Sequence, residues 1–529
     1  MDMVSPRALV PIFVAGLATM ILVLEHPVPS IAQPPEPAPV EPSQPKLKRL
    51  PRPTAPNEAK VIPGEVVVKY KDQFLPRKDA VEQRDAALKD AGKVLSKRFQ
   101  AKIIATYPEF GWVRIQLPPG LSFESVVDSL IKDEQIEYAK PNYEITLHTH
   151  TTPPPPDDWL WQTHFESVYP APYPSYSHLW GLDKIGMLQA WSLSNSQSGG
   201  VVIAILDTGI DYDHPDILEN YLSRISYCIS SPSAMDSDGH GTFVAGIIAA
   251  RGNNGSSSTD EKFFVGVNQT ATLMVIKVAC EPSDIPNIID AINAVNYAVS
   301  HGATVINGSW GLYGLPLTHT YVQDLKKAIT DGTYATLYVA SAGNEGRNFD
   351  ACSAPTMWPQ MFNLDNILVV AATNPSDNLW FDTQPTGPDP CQPTNTPEGS
   401  NFGGSTVHLA APGENIWSMH PRFQNEVTNN PIQKFVTVAS GTSGAAPFVA
   451  GCAALLQSRQ LKIHPFAPFT PQQLKSILMD KGDPLPVTGQ VASGNRLNCL
   501  HALEAVFTKP WPPIWLPLPP AIFEGPKTR

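Results

Sequence analysis

Charge is scarce in this chain. Only 16% of its 529 residues are Asp, Glu, Lys or Arg, against about a quarter in an average soluble protein. Basic residues are the scarcer kind: 37 Lys and Arg face 49 Asp and Glu, a formal net charge of −12. Phosphate backbones need a basic face, so a nucleic-acid partner is excluded. No internal apolar run is long enough to cross a bilayer, which excludes a multi-span membrane protein. Cysteine is sparse: Cys228, Cys280, Cys352, Cys391, Cys452 and Cys499. None forms a CxxC pair, so no zinc site is expected. All six follow residue 200, so the N-terminal third folds without disulfides. No internal repeat is visible, which sets solenoids and propellers aside.

Proline, in contrast, is abundant: 55 residues, about twice the usual share. It clusters, and the clusters divide the chain. Ala8 to Leu24 is apolar apart from Thr19, and Ser30-Ile31-Ala32 places small residues before a cleavage at Gln33. Residues 1–32 read as a secretory signal peptide, with an uncleaved membrane anchor as the alternative. Export to a secreted or periplasmic location follows, and an exported chain permits disulfides. Cys352 and Cys391 sit in loop-like sequence and are the first pair expected. Cys452 lies in an apolar helical run and reads as a small buried hydrophobe.

Residues 33–57 form a Pro-rich linker. Residues 58–148 change character. Strand-like Glu65–Tyr70 is followed by helix-like Asp79–Gly92. Val94–Phe99 and Ile103–Tyr107 read as a broken strand. In Gly111–Leu117, Trp112, Arg114 and Gln116 alternate with Val113, Ile115 and Leu117. Ser122–Glu134 is an amphipathic helix, and Ile136–Tyr143 a last strand. The order β-α-β-β-α-β predicts a small ferredoxin-like α+β module. Residues 149–180 are a Pro-rich linker or N-terminal arm, and 509–529 a Pro-rich tail. Between them, residues 181–508 alternate near-continuous Val/Ile strands with helices. That pattern predicts an α/β domain, a mostly parallel sheet with helices on both faces.

Four segments of this domain carry chemistry. VVIAILDTGID ends a buried strand in Asp207, and strand carboxyl ends are where α/β sites form. A carboxylate there orients and charge-stabilises an imidazole. DGHGTFVAG places His240 between two glycines at a helix start, suited to general-base work near neutral pH. ASAGNEG offers Asn344 as a side-chain N–H donor to an oxyanion. SGTSGAAPFVAG opens a helix at Ser443, where first-turn N–H groups and the helix dipole favour developing negative charge. Pro447 reads as a first-turn proline. Singly, each has an ordinary structural reading: a capping Asp, one of 13 histidines, a turn Asn, an N-cap Ser. His214, in HPDI, reads as a turn residue.

Jointly they stand in the order Asp, His, Asn, Ser, and the segments closely resemble the signatures of the subtilisin-like serine peptidases, the subtilase family. The resemblance covers about residues 178–508. It implies Ser443 as nucleophile, His240 as general base and then acid, and Asp207 as orienter of His240. The Ser443 N–H and the Asn344 side chain would form the oxyanion hole. Ser309, Trp310 and Gly311 would pair with an extended peptide. Ser341, Ala342 and Gly343 would line the pocket for the residue before the scissile bond. VIPGEVVVKYK and IEYAKPNYEI likewise resemble the ends of the family's inhibitory propeptide. Residues 58–148 would then be a folding template and temporary inhibitor, with its tail in the cleft and a release site between Tyr143 and Leu160.

The resemblance implies no metal or other cofactor in the chemistry. Structural calcium is common in the family, and Asp211, Asp213 and the loop Gly252–Asp260 offer oxygen ligands. The expected partners are protein or peptide substrates and the chain's own propeptide, on a monomer. Two departures stand out. Gly444 follows the nucleophile where the family usually has Met, removing an oxidisable side chain. Trp310 replaces a smaller aliphatic residue and is expected to bias the pocket toward particular apolar side chains. The same triad also serves acyl transfer to amines, and a subtilase fold without activity is the other alternative.

Overall fold

The computed structural model describes residues 60–147, 150–151, 179–194, 201–217, 221–228, 231–251, 264–279, 286–332, 335–352, 357–383, 398–421 and 436–508. The expected signal peptide, the Pro-rich linker, nearly all of the arm, and the tail lie outside these residues.

The N-terminal module runs β1 (Val61–Tyr70), α1 (Val81–Phe99), β2 (Lys102–Tyr107), β3 (Trp112–Gln116), α2 (Phe123–Leu130) and β4 (Ile136–Tyr143). Its antiparallel sheet has the order β2-β3-β1-β4. The β-α-β-β-α-β order is the expected one, with two local corrections. Val94–Phe99 completes α1 and is no strand. Its residues Val94, Leu95 and Lys97 keep the helical register, and only Leu95 of these is buried, a helical and not a strand-like pattern. Helix α2 is shorter than its amphipathic pattern, starting after the capping Ser122 and ending at Leu130.

The two faces of this sheet have different neighbours. Val66, Val68, Val113 and Ile115 pack against Leu88, Leu95, Val126 and Leu130 of the module's own helices. Val67 and Trp112, on the opposite face, join a core cluster with Ile288, Ile292, Tyr321 and Leu325 of the larger lobe. The strand alternation read in the sequence therefore separates two buried faces.

After two short strands, β5 (Thr146–Leu147) and β6 (His150–Thr151), the chain enters the larger lobe through α3 (Trp180–Lys184) and α4 (Met187–Ser194). There follow β7 (Val202–Asp207), β8 (Tyr221–Ser226), α5 (His240–Ala249), β9 (Thr272–Lys277) and α6 (Ile288–Ser300). Next come β10 (Val305–Gly308), β11 (Trp310–Tyr313), α7 (Thr320–Asp331), β12 (Leu337–Ser341), β13 (Met357–Trp358) and β14 (Ile367–Thr373). The hairpin β15 (Phe381–Thr383) and β16 (Glu398–Gly399) precedes β17 (Leu409–Pro412), β18 (Ile416–Met419) and β19 (Val436–Ser440). The chain closes with α8 (Thr442–Ile463), α9 (Pro471–Asp480), β20 (Asp483–Pro484), β21 (Asn495–Arg496) and α10 (Cys499–Thr508).

The central sheet has the order β20-β21-β17-β14-β12-β10-β7-β9-β8. All its pairings are parallel except that of β20 with β21. Two core clusters cover its faces, one built on α5 and α8, the other on α6 and α7. Every residue of β14 is buried, which is why its sequence is apolar without alternation. Helix α8 is buried from Thr442 through Ser458, so its apolar run has no polar face. Pro447 lies in its second turn, beyond the first turn where the sequence placed it. The missing N–H leaves the Ser443 carbonyl without the donor four residues on.

Cys452 of α8 is bonded to Cys499 of α10. It is a cross-link, not the plain buried hydrophobe the sequence suggested: the apolar run brings its sulfur against the start of α10. Cys228 and Cys352 are also disulfide-bonded. The expected partner Cys391 lies outside the described residues, as does Cys280. Among the described residues no helix is long and apolar enough to cross a membrane.

Candidate active site

Asp207 ends β7, the strand between β9 and β10, and its side chain is fully buried. One carboxylate oxygen accepts the Thr208 N–H at 2.8 Å and faces His240 Nδ1 at 2.6 Å. A carboxylate only accepts, so the ring proton sits on Nδ1 and the lone pair on Nε2. His240 Nε2 has no hydrogen-bond partner in the structure. Burial alone would discharge this imidazole. Asp207, with Asp238 and Asp236 behind it, outweighs burial and raises its pKa above the ordinary histidine value.

Local backbone explains why His240 reaches Asp207. Gly239 caps α5 at φ 110°, a conformation glycine adopts without strain. A Cβ on Gly241 would lie 1.9 Å from the Gly209 carbonyl oxygen, so only glycine lets α5 start this close to the end of β7. Asp236, which sequence reasoning passed over, builds the same turn. It accepts from the Thr208 and Thr242 hydroxyls and from the Gly239 and Thr242 N–H groups. His214 instead accepts the Asp216 N–H on Nδ1, as a turn residue.

Ser443 is the second residue of α8, fully buried, with its N–H in the first turn. Its hydroxyl donates to the Ser309 carbonyl at 3.3 Å. Asn344 follows β12, and its Oδ1 accepts both the N–H and the hydroxyl of Thr442, each at 2.9 Å. The oxygen end is thereby committed to the residue before Ser443, and the N–H₂ end is turned away from it. Thr442 also accepts the Gly343 N–H at 2.9 Å. This threonine joins the start of α8 to the Asn344 loop, a role the sequence motif contains but does not announce.

Ser341, which ends β12, and the following Ala342 and Gly343, the residues expected to line the pocket, are buried. The Gln360 amide donates to the Ser341 and Trp310 carbonyls at 2.9 and 2.8 Å, tying the two walls together. A Cβ on Gly343, at φ 96°, would lie 2.5 Å from Asn401 Nδ2 and 2.7 Å from Met357 Cε. Trp310 is fully buried in the core shared with the N-terminal module.

The chain itself crosses this site. β5 pairs antiparallel with β11, Thr146 opposite Gly311 and Leu147 opposite Trp310. On the other edge, Ile145 N–H donates to the Pro286 carbonyl at 3.0 Å, and Glu144 bridges Asn287. No side-chain pattern marks that second edge, which offers only backbone. β6 then pairs with β19, His150 opposite Ser440 and Thr151 opposite Ala439. The module's tail thus runs from the Ser309–Gly311 side to the strand that leads into Ser443.

Among the described residues, no group of three or more His, Cys, Asp or Glu is arranged to hold a metal ion. The Asp211 carboxylate accepts the Asp213 N–H, and the loop Gly252–Asp260 lies outside the described residues.

Residues 198–496 match the Subtilase family, and residues 50–142 match the fervidolysin N-terminal prodomain. The chain is 27% identical over 402 residues to a thermophilic serine proteinase of Bacillus sp. (strain AK1), covering 75% of this chain and 79% of that one. It is 27% identical over 334 residues to thermitase of Thermoactinomyces vulgaris, covering 62% and 96%. Among solved structures, fervidolysin of Fervidobacterium pennivorans superposes with a TM-score of 0.56 at 22% identity, covering 85% of this chain and 62% of that one. The epidermin leader peptide processing protease of Staphylococcus aureus gives 0.57 at 20%, covering 85% and 99%. These two likenesses concern the fold. The family match spans more than half of the chain: this protein belongs to the subtilase family and is a serine-type endopeptidase.

Proposed function

We propose that the chain is an exported, self-processing precursor that hydrolyses peptide bonds through Asp207, His240 and Ser443. The observation that carries this reading is the tail laid across the site, paired with β11 before Ser443 and with β19 beyond it. A strand added by main-chain pairing is how a protease holds an extended substrate.

The Ser443 hydroxyl turns from the Ser309 carbonyl toward His240 Nε2 and gives up its proton there. Ser443 Oγ attacks the carbonyl carbon, and the resulting oxyanion takes N–H bonds from Ser443 and from Asn344 Nδ2. Asp207 holds the imidazolium without taking its proton. His240 then protonates the leaving amine, the C–N bond breaks, and an acyl-enzyme is left. Water, deprotonated by His240, repeats the sequence and frees the acid. No metal takes part. Structural calcium at Asp211 and Asp213 is a separate expectation, from the carboxylate oxygens there.

Residues 58–148 act as inhibitor until they leave, and the self-cleaved bond lies between Leu147 and His150. The apolar N-terminal segment and the disulfides favour export, with the enzyme acting on peptide or protein substrates as a monomer. The test compares the full-length chain with Ser443→Ala. Wild type should shed its N-terminal module and take a fluorophosphonate label, and Ser443→Ala should do neither. Shedding by purified Ser443→Ala would overturn self-processing, and an unlabelled, folded wild type would overturn the nucleophile assignment.

A further inference from the structure

Asp290 lies in the first turn of α6, fully buried, three residues after the helix cap Asn287. Its carboxylate serves two groups of donors. From the N-terminal module, the Tyr107 hydroxyl donates to Oδ1 at 2.6 Å and Arg114 Nη1 to Oδ2 at 3.0 Å. From its own helix, the Asn287 amide donates to Oδ2 at 2.6 Å. Asn287 accepts the Asp290 N–H in return at 3.1 Å. Both ends of the Asn287 amide are therefore fixed by one residue.

Arg114 is held just as firmly. Its Nε and Nη2 donate to the two oxygens of Glu65 at 2.7 and 2.9 Å, and Asn142 donates to Glu65 as well. Burial opposes the guanidinium charge, but Asp290, Tyr107 and Glu65 more than compensate and keep it protonated. A buried charge without such partners would be strongly unfavourable.

Asn287 is also part of the cleft edge. Its backbone bridges Glu144, and the neighbouring Pro286 carbonyl accepts the Ile145 N–H. Main-chain pairing repays a peptide fully only when the edge it meets is already ordered.

We propose that Asp290 is a positioning residue for extended substrates, holding the Pro286–Asn287 edge ready through the Asn287 amide, and that the N-terminal module anchors itself on the same carboxylate. The proposal rests on the protease reading above. It makes activity depend on substrate length. Ile145 stands at least three residues before any bond between Leu147 and His150. A substrate with two residues before the scissile bond does not reach this edge, and one with six does.

The experiment uses processed wild type, Asp290→Ala and Asp290→Asn. Each is assayed on a blocked two-residue anilide and on a six-residue peptide anilide with the same last two residues. Asp290→Ala should raise KM for the long substrate about fivefold, the worth of a single hydrogen bond, with kcat and the short substrate unaffected. Asp290→Asn keeps an acceptor for Asn287 and should restore the long-substrate KM. It loses the charge facing Arg114, so its full-length form should show a shorter lag before activity appears. Equal effects on both substrates, no effect on either, or no rescue by Asn would overturn the proposal. Wild type inert on both substrates would overturn the protease reading itself.

Discussion

The N-terminal module and the larger lobe use their sheets in opposite ways. In the larger lobe, helices cover both faces, and strands such as β14 are apolar at every position. In the module, its own helices cover one face, and the other face, with Val67 and Trp112, is buried against α6 and α7. The larger lobe's own helices cover both faces of its sheet, while the module's second face is covered by the larger lobe. The lobes also differ covalently. All six cysteines lie in the larger part of the chain, while the module relies on packing and on the buried Arg114 ion pairs. Packing and ion pairs, with no cysteine in residues 58–148, join the prodomain to the larger lobe.

This contrast can be broken from the side that carries the chemistry. Asp207→Asn should lower kcat by about 10⁴, because the imidazole loses the group that sets its tautomer. Its pH profile tests the electrostatics. Asp207 raises the His240 pKa, so wild type loses its base as pH falls through a value above that of an ordinary histidine. Without the carboxylate, burial dominates, the pKa drops, and the acid limb of kcat/KM should move to lower pH. A limb that stays in place would mean that another group sets it.

The Cys452–Cys499 bond closes a loop with a sequence separation of 47. By the chain-entropy account, Cys452→Ala with Cys499→Ala should cost about 4 kcal/mol. Chemical denaturation of the matured enzyme measures it, and an unchanged midpoint would show that packing of α10 on α8 suffices.

The smallest effect concerns Gly444. A Cβ there would meet Ile416 and Phe243 at 3.6 and 3.7 Å, ordinary contact distances. Gly444→Ala should therefore stabilise the matured enzyme by about 0.5–1 kcal/mol, through the helix preference for Ala. A rise in Tm with activity retained would agree; a fall would show hidden crowding beside Ser443.

How much of this was legible follows from what each pattern encodes. Buried parallel strands announce themselves by Val and Ile runs, so β7 ends at Asp207 as expected, and β9, β12 and β14 bear out the strand–helix alternation read over residues 181–508. Asp207, His240, Asn344 and Ser443 stand out because glycine-rich turns flank them, and Gly241 shows why: no other side chain fits. The Pro286–Asn287 edge and the β19 edge offer peptide backbone, which leaves no mark in side-chain types. Thr442 acts by hydrogen bonds across long sequence separations, and Asp236 by side-chain bonds within its own turn and to Thr208, neither of which periodicity encodes. The Trp112–Gln116 alternation showed two faces, but not that the face with Arg114 meets a second lobe. The Val94–Phe99 error came from reading a short apolar run without its helical continuation from α1.

On the proposed function, the module's tail, paired with β11 and β19, is the enzyme's first substrate. Purified full-length chain should be allowed to process, and the masses of its new termini measured. A new amino terminus should be created between Leu147 and His150, in wild type alone and not in Ser443→Ala. A terminus well outside that span, or the same terminus in Ser443→Ala, would contradict it.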